Sequence, residues 1–135
     1  MTSIQTSVLL RRVLLVDALS SGVMGLLLLT CSDPLAGLLD LPGAMLREAG
    51  TILLPFALML AFLGRRPRLP TAAVWAVIAL NAVWVIDSLV LLFGEWVQPN
   101  PLGNIFIVGQ AVFVAVMAQL EVIGLRRLRA AAAVN

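Results

Sequence analysis

Apolar residues along the chain fall into four long runs that are separated by short polar stretches. A membrane-spanning helix needs about 20 mostly apolar residues, and each run is close to that length. The predicted spans are residues 13–31, 44–64, 71–93 and 101–125. We therefore predict an all-α fold, a four-transmembrane-helix bundle, with residues 1–135 forming a single transmembrane domain.

The polar stretch after the first run carries a helix-start signal. Ser32-Asp33-Pro34 combines polar capping residues with a proline, which is tolerated in the first turn of a helix. The apolar stretch 35–39 that follows is too brief to cross a bilayer. We interpret it as a short interfacial helix in the first outer loop.

The two halves of the chain share one organisation. In each half, two apolar runs flank an outer loop that contains Pro and Gly, and an Arg cluster follows the second run. The first cluster lies in residues 64–68 and the second in residues 124–129. This pattern favours two sequential helical hairpins. A true duplication and the constraints of membrane topology both explain the likeness.

All nine basic residues are Arg, and their positions predict the orientation. Eight of them lie before the first span, between the second and third, or after the fourth: Arg11, Arg12, Arg65, Arg66, Arg68, Arg126, Arg127 and Arg129. Cytoplasmic loops of membrane proteins carry an excess of Arg and Lys. We therefore expect both termini and the middle loop to be cytoplasmic, an N-in, C-in topology.

Composition agrees with a lipid environment. The chain is 61% hydrophobic and 12% charged, with a mean hydropathy of +1.07, whereas a soluble domain is about 45–50% apolar and about 25% charged. The basic residues sit in short clusters beside apolar runs, without the extended basic surface that nucleic acid requires. The expected partners are the lipid bilayer and either a second copy of the chain or another membrane protein, and not nucleic acid.

The residue types needed for most catalytic chemistry are missing. His, Tyr and Lys are absent, and Cys31 is the only cysteine, so neither an intrachain disulfide nor a Cys-based metal site can form. The sequence has no Gly-rich phosphate loop and no Ser that a basic side chain could activate. We therefore expect no enzyme activity, no catalytic residue, no metal site and no cofactor.

Polar side chains inside the predicted spans are the candidates for function, because they are expensive in lipid. Asn81 and Asp87 on the third span and Gln110 on the fourth predict a polar seam, provided that the two helix faces meet. Arg47, near the outer end of the second span, is the predicted ion-pair partner of Asp87. The seam is either interhelical hydrogen bonding or a path for a substrate or proton.

Two further acids lie near the Arg clusters. Asp17 follows Arg12 by little more than one helical turn, and Glu121 precedes Arg126 by a similar distance. We expect these residues and Arg65 to form a charge cluster at the cytoplasmic end of the bundle, with a structural role.

Four segments of the chain resemble a family of small bacterial four-helix membrane proteins that is similar in size and topology to the DoxX-like group. The segments are residues 17–26, 41–50, 81–88 and 124–127. The resemblance covers nearly the whole chain and implies a location in the bacterial cytoplasmic (inner) membrane. It implies no established activity, and it carries over no catalytic or binding residue.

Three functions remain open from the sequence. The first is a non-enzymatic accessory, scaffold or assembly component, and the alternative is a small oligomeric transporter that uses the seam of Asp87, Asn81 and Gln110. The third is binding of a lipid or small apolar ligand between the helices. A polar cavity that reaches Asp87 would favour transport, whereas a closely packed bundle with Asp87 paired to Arg47 would favour a scaffold.

Overall fold

The computed structural model describes residues 3–134, and five α-helices carry the fold in this range. They are α1 (Val8–Thr30), α2 (Ser32–Leu39), α3 (Gly43–Arg65), α4 (Thr71–Phe93) and α5 (Pro101–Val134). By length and composition, α1, α3, α4 and α5 are able to cross a membrane. The helical fold and the four apolar spans predicted from the sequence are thus confirmed.

Two of the long helices extend beyond the predicted spans, at the ends that carry Arg. Helix α1 begins at Val8 because the Ser7 hydroxyl accepts a hydrogen bond from the backbone N–H of Leu10 (3.1 Å) and caps the first turn. Helix α5 continues through its Arg cluster and an alanine run to Val134. Arg and Ala are both strong helix formers, so the charges do not end either helix.

A short antiparallel ribbon joins the N-terminal segment to the connection between α3 and α4. Strand β1 (Ser3–Gln5) pairs with β2 (Arg68–Pro70). Thr6 continues the link: its backbone N–H donates to the Pro67 carbonyl (2.9 Å) and its hydroxyl donates to the Arg66 carbonyl (2.7 Å). The N-terminal segment and the α3–α4 connection therefore lie at the same end of the bundle.

The helices pack side by side in the order α3, α1, α5, α4. Helix α1 packs along α3, α4 packs along α5, and α1 also meets α5, whereas the described parts of α3 and α4 have almost no close backbone approach. Glycines allow α1 and α3 to come close, since a Cβ on Gly50 would lie 2.8 Å from the Gly25 carbonyl oxygen. This order leaves a cleft between α3 and α4.

Two apolar cores lie at opposite ends of the bundle. The ribbon-end core consists of Leu10, Leu14, Ala18, Leu60, Leu63, Leu69, Val74, Val77, Ile78 and Leu125. The α2-end core consists of Leu28, Leu39, Leu41, Leu46, Leu53 and Ile107. The buried polar side chains described below lie between these two cores.

The start of α5 is fixed against the end of α2. The Asn100 side chain accepts a hydrogen bond from the Gly103 backbone N–H (2.8 Å) and donates one to the Leu38 carbonyl (2.8 Å). Gly103 is required at this contact because a Cβ there would collide with the Leu39 carbonyl oxygen. Asp40 ends α2 in the left-handed conformation (φ 56°), which turns the chain toward α3.

Candidate functional site

Three polar side chains from three helices meet between the two apolar cores. Asp17 of α1, Asn81 of α4 and Glu121 of α5 are 1%, 3% and 0% exposed. The Asn81 amide nitrogen donates to Asp17 Oδ2 (2.9 Å) and to Glu121 Oε2 (3.1 Å). One amide therefore bridges two carboxyl groups, and we refer to these three residues as the acid–amide cluster.

Each member of this cluster occupies the buried face of its helix. On α1, Leu14, Asp17 and Ser21 are all buried, at the spacing of three and four residues that defines one helical face. Asn81 and Glu121 lie among the buried residues of α4 and α5 in the same way. The Ser21 hydroxyl also donates to Asp17 Oδ1 (3.4 Å). Packing of the three helices therefore directs the polar groups toward one point.

The acid–amide cluster lies deep along the helices. Asp17 is nine residues beyond Val8, where α1 begins, and Asn81 is ten residues beyond Thr71, where α4 begins. At 1.5 Å per residue these positions are about 14 and 15 Å from the helix starts. Arg12 and Arg126 are each only five residues from an acid of the cluster, about 7.5 Å along the helix axis. The cluster therefore lies in the half of the apolar spans that is nearer the Arg clusters.

In the described part of the chain, Asp17 and Glu121 do not pair with the Arg side chains of the predicted charge cluster. Arg12, Arg65 and Arg126 are exposed, whereas Asp17 and Glu121 are buried. Among residues 3–134 neither acid makes an ion pair. The reason is helical phase: Arg12 and Asp17 are five residues apart, which places them about 140° apart around the helix. One side chain therefore points outward while the other points into the bundle.

A second polar group joins α4 to α5. The Trp84 indole N–H donates to Gln110 Oε1 (2.6 Å), and the Gln110 amide donates to the Ser88 hydroxyl (2.9 Å). The Ser88 hydroxyl in turn donates to the Trp84 backbone carbonyl (2.8 Å). These three residues form a closed ring of hydrogen bonds without an ionisable group, and we refer to them as the neutral cluster.

The residues of the predicted polar seam are therefore separated. Asn81 belongs to the acid–amide cluster and Gln110 to the neutral cluster, while Asp87 is exposed toward the cleft. Asp87 lies six residues beyond Asn81, about 240° around the helix, whereas Ser88 returns to within about 20° of the Asn81 face. Ser88, rather than Asp87, is consequently the residue that meets Gln110.

Arg47, the predicted partner of Asp87, is engaged elsewhere. Its guanidinium donates to Asp33 Oδ1 (3.1 Å) and to the Ser32 hydroxyl (3.2 Å). The short helix α2 brings both groups to the start of α3, which sequence spacing alone did not reveal. The Arg47–Asp33 pair ties α2 to α3, and Asp87 has no hydrogen bond or ion pair within residues 3–134.

Three cavities surround Trp84. One of about 270 Å³ is lined by Glu48 and Asp87, and one of about 500 Å³ is lined by Asn81 and Asp87. The third, of about 360 Å³, is lined by Asp17. Trp84 lines all three. The acid–amide cluster therefore borders space that a small molecule can occupy.

The chemistry available at the acid–amide cluster is the binding of positive charge. Two carboxyl groups offer four acceptor oxygens, whereas the Asn81 amide offers two N–H donors. Two negative charges in an apolar interior are costly unless a cation or proton accompanies them. Among residues 3–134, no group of three or more His, Cys, Asp or Glu side chains is arranged to hold a metal ion.

No model of a known protein family matches this sequence, and neither a curated protein nor a solved structure is significantly similar to it.

Proposed function

We propose that this chain is a small, non-enzymatic membrane carrier that takes up and releases a proton at the acid–amide cluster. The observation that carries the proposal is the bridging of two buried carboxyl groups by one amide, between helices long enough to span a bilayer. A charged carboxylate buried inside a membrane-spanning bundle is costly. A proton shared by Asp17 and Glu121 removes one of the two charges and leaves the Asn81 bridge in place.

The cavities supply the second requirement of a carrier, which is contact between the solute and the group that changes charge. Cavities of about 360 and 500 Å³ reach Asp17 and Asn81, respectively. Protonation of the acid–amide cluster changes the charge at the walls of these cavities. Because linked binding is reciprocal, a solute whose affinity depends on that charge is coupled to the proton.

The proposal includes a placement in the membrane of a bacterium. Both termini and the α3–α4 connection are cytoplasmic, α2 lies at the outer interface, and α1–α3 and α4–α5 act as two hairpins, in keeping with the DoxX-like resemblance. The positions of the Arg clusters support this orientation. The β1–β2 ribbon supports a common side for the N-terminal segment and the α3–α4 connection. Assembly into a homo-oligomer is part of the same proposal.

Proton flux into proteoliposomes tests the carrier function. Purified protein is reconstituted with a pH-sensitive dye inside the vesicles, and an outside acid pulse is applied under an imposed membrane potential. We expect flux with the wild type and a decrease of about tenfold or more in Asp17→Asn and in Glu121→Gln, because each removes one proton-binding group. Glu95→Gln is the matched control, since Glu95 is an exposed acid outside the bundle interior.

Asn and Gln keep the size of the acids they replace and can still accept the Asn81 hydrogen bond. Circular dichroism and gel filtration of each variant establish that the bundle is intact. Wild-type flux no greater than that of protein-free vesicles would contradict the carrier.

A second candidate function is a non-enzymatic accessory, scaffold or assembly component. It is favoured by one observation: within the described part of the chain, every buried side-chain nitrogen and oxygen has a hydrogen-bond partner. A fully satisfied polar network can hold helices in a single arrangement without any ligand. Absence of flux in the wild type, together with lowered thermal stability in both acid variants, would favour this function over the carrier.

A further inference from the structure

Two acidic side chains line the cleft between α3 and α4. Glu48 on α3 and Asp87 on α4 line the cavity of about 270 Å³, and Asp87 also lines the cavity of about 500 Å³. Within residues 3–134, no Arg lines either cavity. Arg47, the basic residue beside Glu48 in the sequence, is paired with Asp33. Asp87 is therefore available to a cation that enters the cleft.

Most of the remaining wall residues of these cavities are apolar or aromatic, apart from Ser88 and Gln110 in the smaller cavity and Ser21 and Asn81 in the larger one. Trp84 and Phe106 line the smaller cavity, and Trp84 and Phe56 line the larger one. The face of an indole attracts a cation within about 6 Å of the ring centre. The larger cavity lies within the range of about 300–1,000 Å³ that is usual for small-molecule sites. The walls therefore suit a ligand that is mostly hydrocarbon and carries one positive charge.

We propose that the α3–α4 cleft binds a lipophilic organic cation, either an amine or a quaternary onium ion with aromatic or aliphatic groups. Its charge lies beside Asp87, and its apolar groups pack against Trp84. An inorganic cation would leave the apolar walls uncovered, and a neutral or anionic molecule would leave Asp87 without a counter-charge.

Binding of this cation depends on the shape and the charge of the cleft and not on the proposed function. The further claim that this cation is the solute exchanged for the proton rests on the proposed function. The two claims therefore need separate measurements, one of binding and one of flux.

Trp84 provides a local reporter of binding, because the chain has only three Trp residues. The Trp75→Phe, Trp96→Phe double variant is reconstituted into phosphatidylcholine nanodiscs and titrated with tetraphenylphosphonium. Tetraphenylborate, an anion of nearly the same shape, controls for partition into the lipid. We expect a saturable change in Trp84 fluorescence with the phosphonium and only a linear, non-saturable one with the borate.

Charge variants of the cleft identify the group that binds the cation. Asp87→Asn is expected to weaken phosphonium binding about tenfold or more, because it removes the partner charge. Glu48→Gln should weaken it less, and Asp87→Glu should stay within about threefold of the parent. Glu95→Gln, outside the cleft, should leave binding unchanged.

Equal phosphonium affinity in the parent and in Asp87→Asn would overturn the inference, and so would saturable borate binding of similar strength. If Asp87→Asn does not fold, as judged by circular dichroism, the comparison of phosphonium with borate on the parent protein decides the question.

Combined binding and flux data separate this inference from the proposed function. If the carrier fails but the cleft binds the cation, the parent protein binds phosphonium while wild-type vesicles show no proton flux, with or without phosphonium inside. If the carrier holds but the inference fails, flux depends on Asp17 and Glu121 while phosphonium does not bind.

Discussion

The acid–amide cluster and the neutral cluster occupy neighbouring turns of α4 but differ in their balance of donors and acceptors. In the neutral cluster, Trp84, Gln110 and Ser88 each donate one hydrogen bond to another member and each accept one, so the ring is closed. The Gln110 amide also donates to the Ile107 carbonyl (3.1 Å). In the acid–amide cluster, the single amide of Asn81 faces two carboxyl groups. Acceptors outnumber donors there, and a proton is the simplest group that restores the balance.

This difference indicates which of the two clusters has a role beyond holding helices together. A closed neutral ring does not change its charge, and its hydrogen bonds hold α4 and α5 together. A pair of buried acids costs stability unless something positive is bound, so a purely structural role for it is harder to explain. We therefore assign a structural role to the neutral cluster and the proposed proton binding to the acid–amide cluster.

The largest effect on stability is expected from Asn81→Leu. This change removes the amide between the two carboxyl groups and leaves both carboxyl groups buried without that hydrogen-bond donor. We expect the free energy of unfolding to fall by about 3–5 kcal/mol. Unfolding in mixed micelles, followed by circular dichroism, measures the loss.

The triple variant Asp17→Leu, Asn81→Leu, Glu121→Leu serves as the control for Asn81→Leu. Replacing a whole buried polar group with apolar side chains is often neutral or stabilising, so this variant should recover most of the lost stability. A triple variant as unstable as Asn81→Leu would show that packing volume, rather than charge, causes the loss.

A smaller effect is expected from Gln110→Leu. It breaks two interhelical hydrogen bonds of the neutral cluster, each worth about 0.6 kcal/mol in a membrane bundle, so the expected cost is about 1 kcal/mol. Proton flux should stay near the wild-type value, because no ionisable group is lost. The same unfolding and flux assays check both statements, and a cost equal to that of Asn81→Leu would remove the distinction between the clusters.

The four spans could be predicted because they depend on local properties of the sequence. Runs of apolar residues, the turn residues between them and the Arg clusters all act within about one helix length. Helices α1 and α5 extend past the predicted spans because charge marks a solvent boundary, whereas propensity and capping at Ser7 decide where a helix begins. Strands β1 and β2, of three residues each, are too short for a periodic signal.

The candidate site was only partly predictable. The candidate polar residues were identified by residue type alone, since ionisable and amide side chains stand out in an apolar span. Their partners depend on the rotation and order of the helices, which close approaches such as Gly25–Gly50 determine. One signal was present in the sequence. Asp17 and Asn81 each share a face with buried residues of their own helices, and they lie at nearly equal distances, about 14 and 15 Å, from the starts of those helices.

Infrared difference spectroscopy of the carboxyl C=O stretch, measured between alkaline and acidic buffer, tests the central claim most directly. With the protein in lipid, the proton-binding account predicts a protonated-carboxyl band that titrates as one proton per chain. This band should be shifted or lost in both Asp17→Asn and Glu121→Gln and retained in Asp87→Asn. A band that persists unchanged in both acid-cluster variants, or a spectrum of the wild type without any pH-dependent carboxyl band, would contradict the claim that Asp17 and Glu121 share an exchangeable proton.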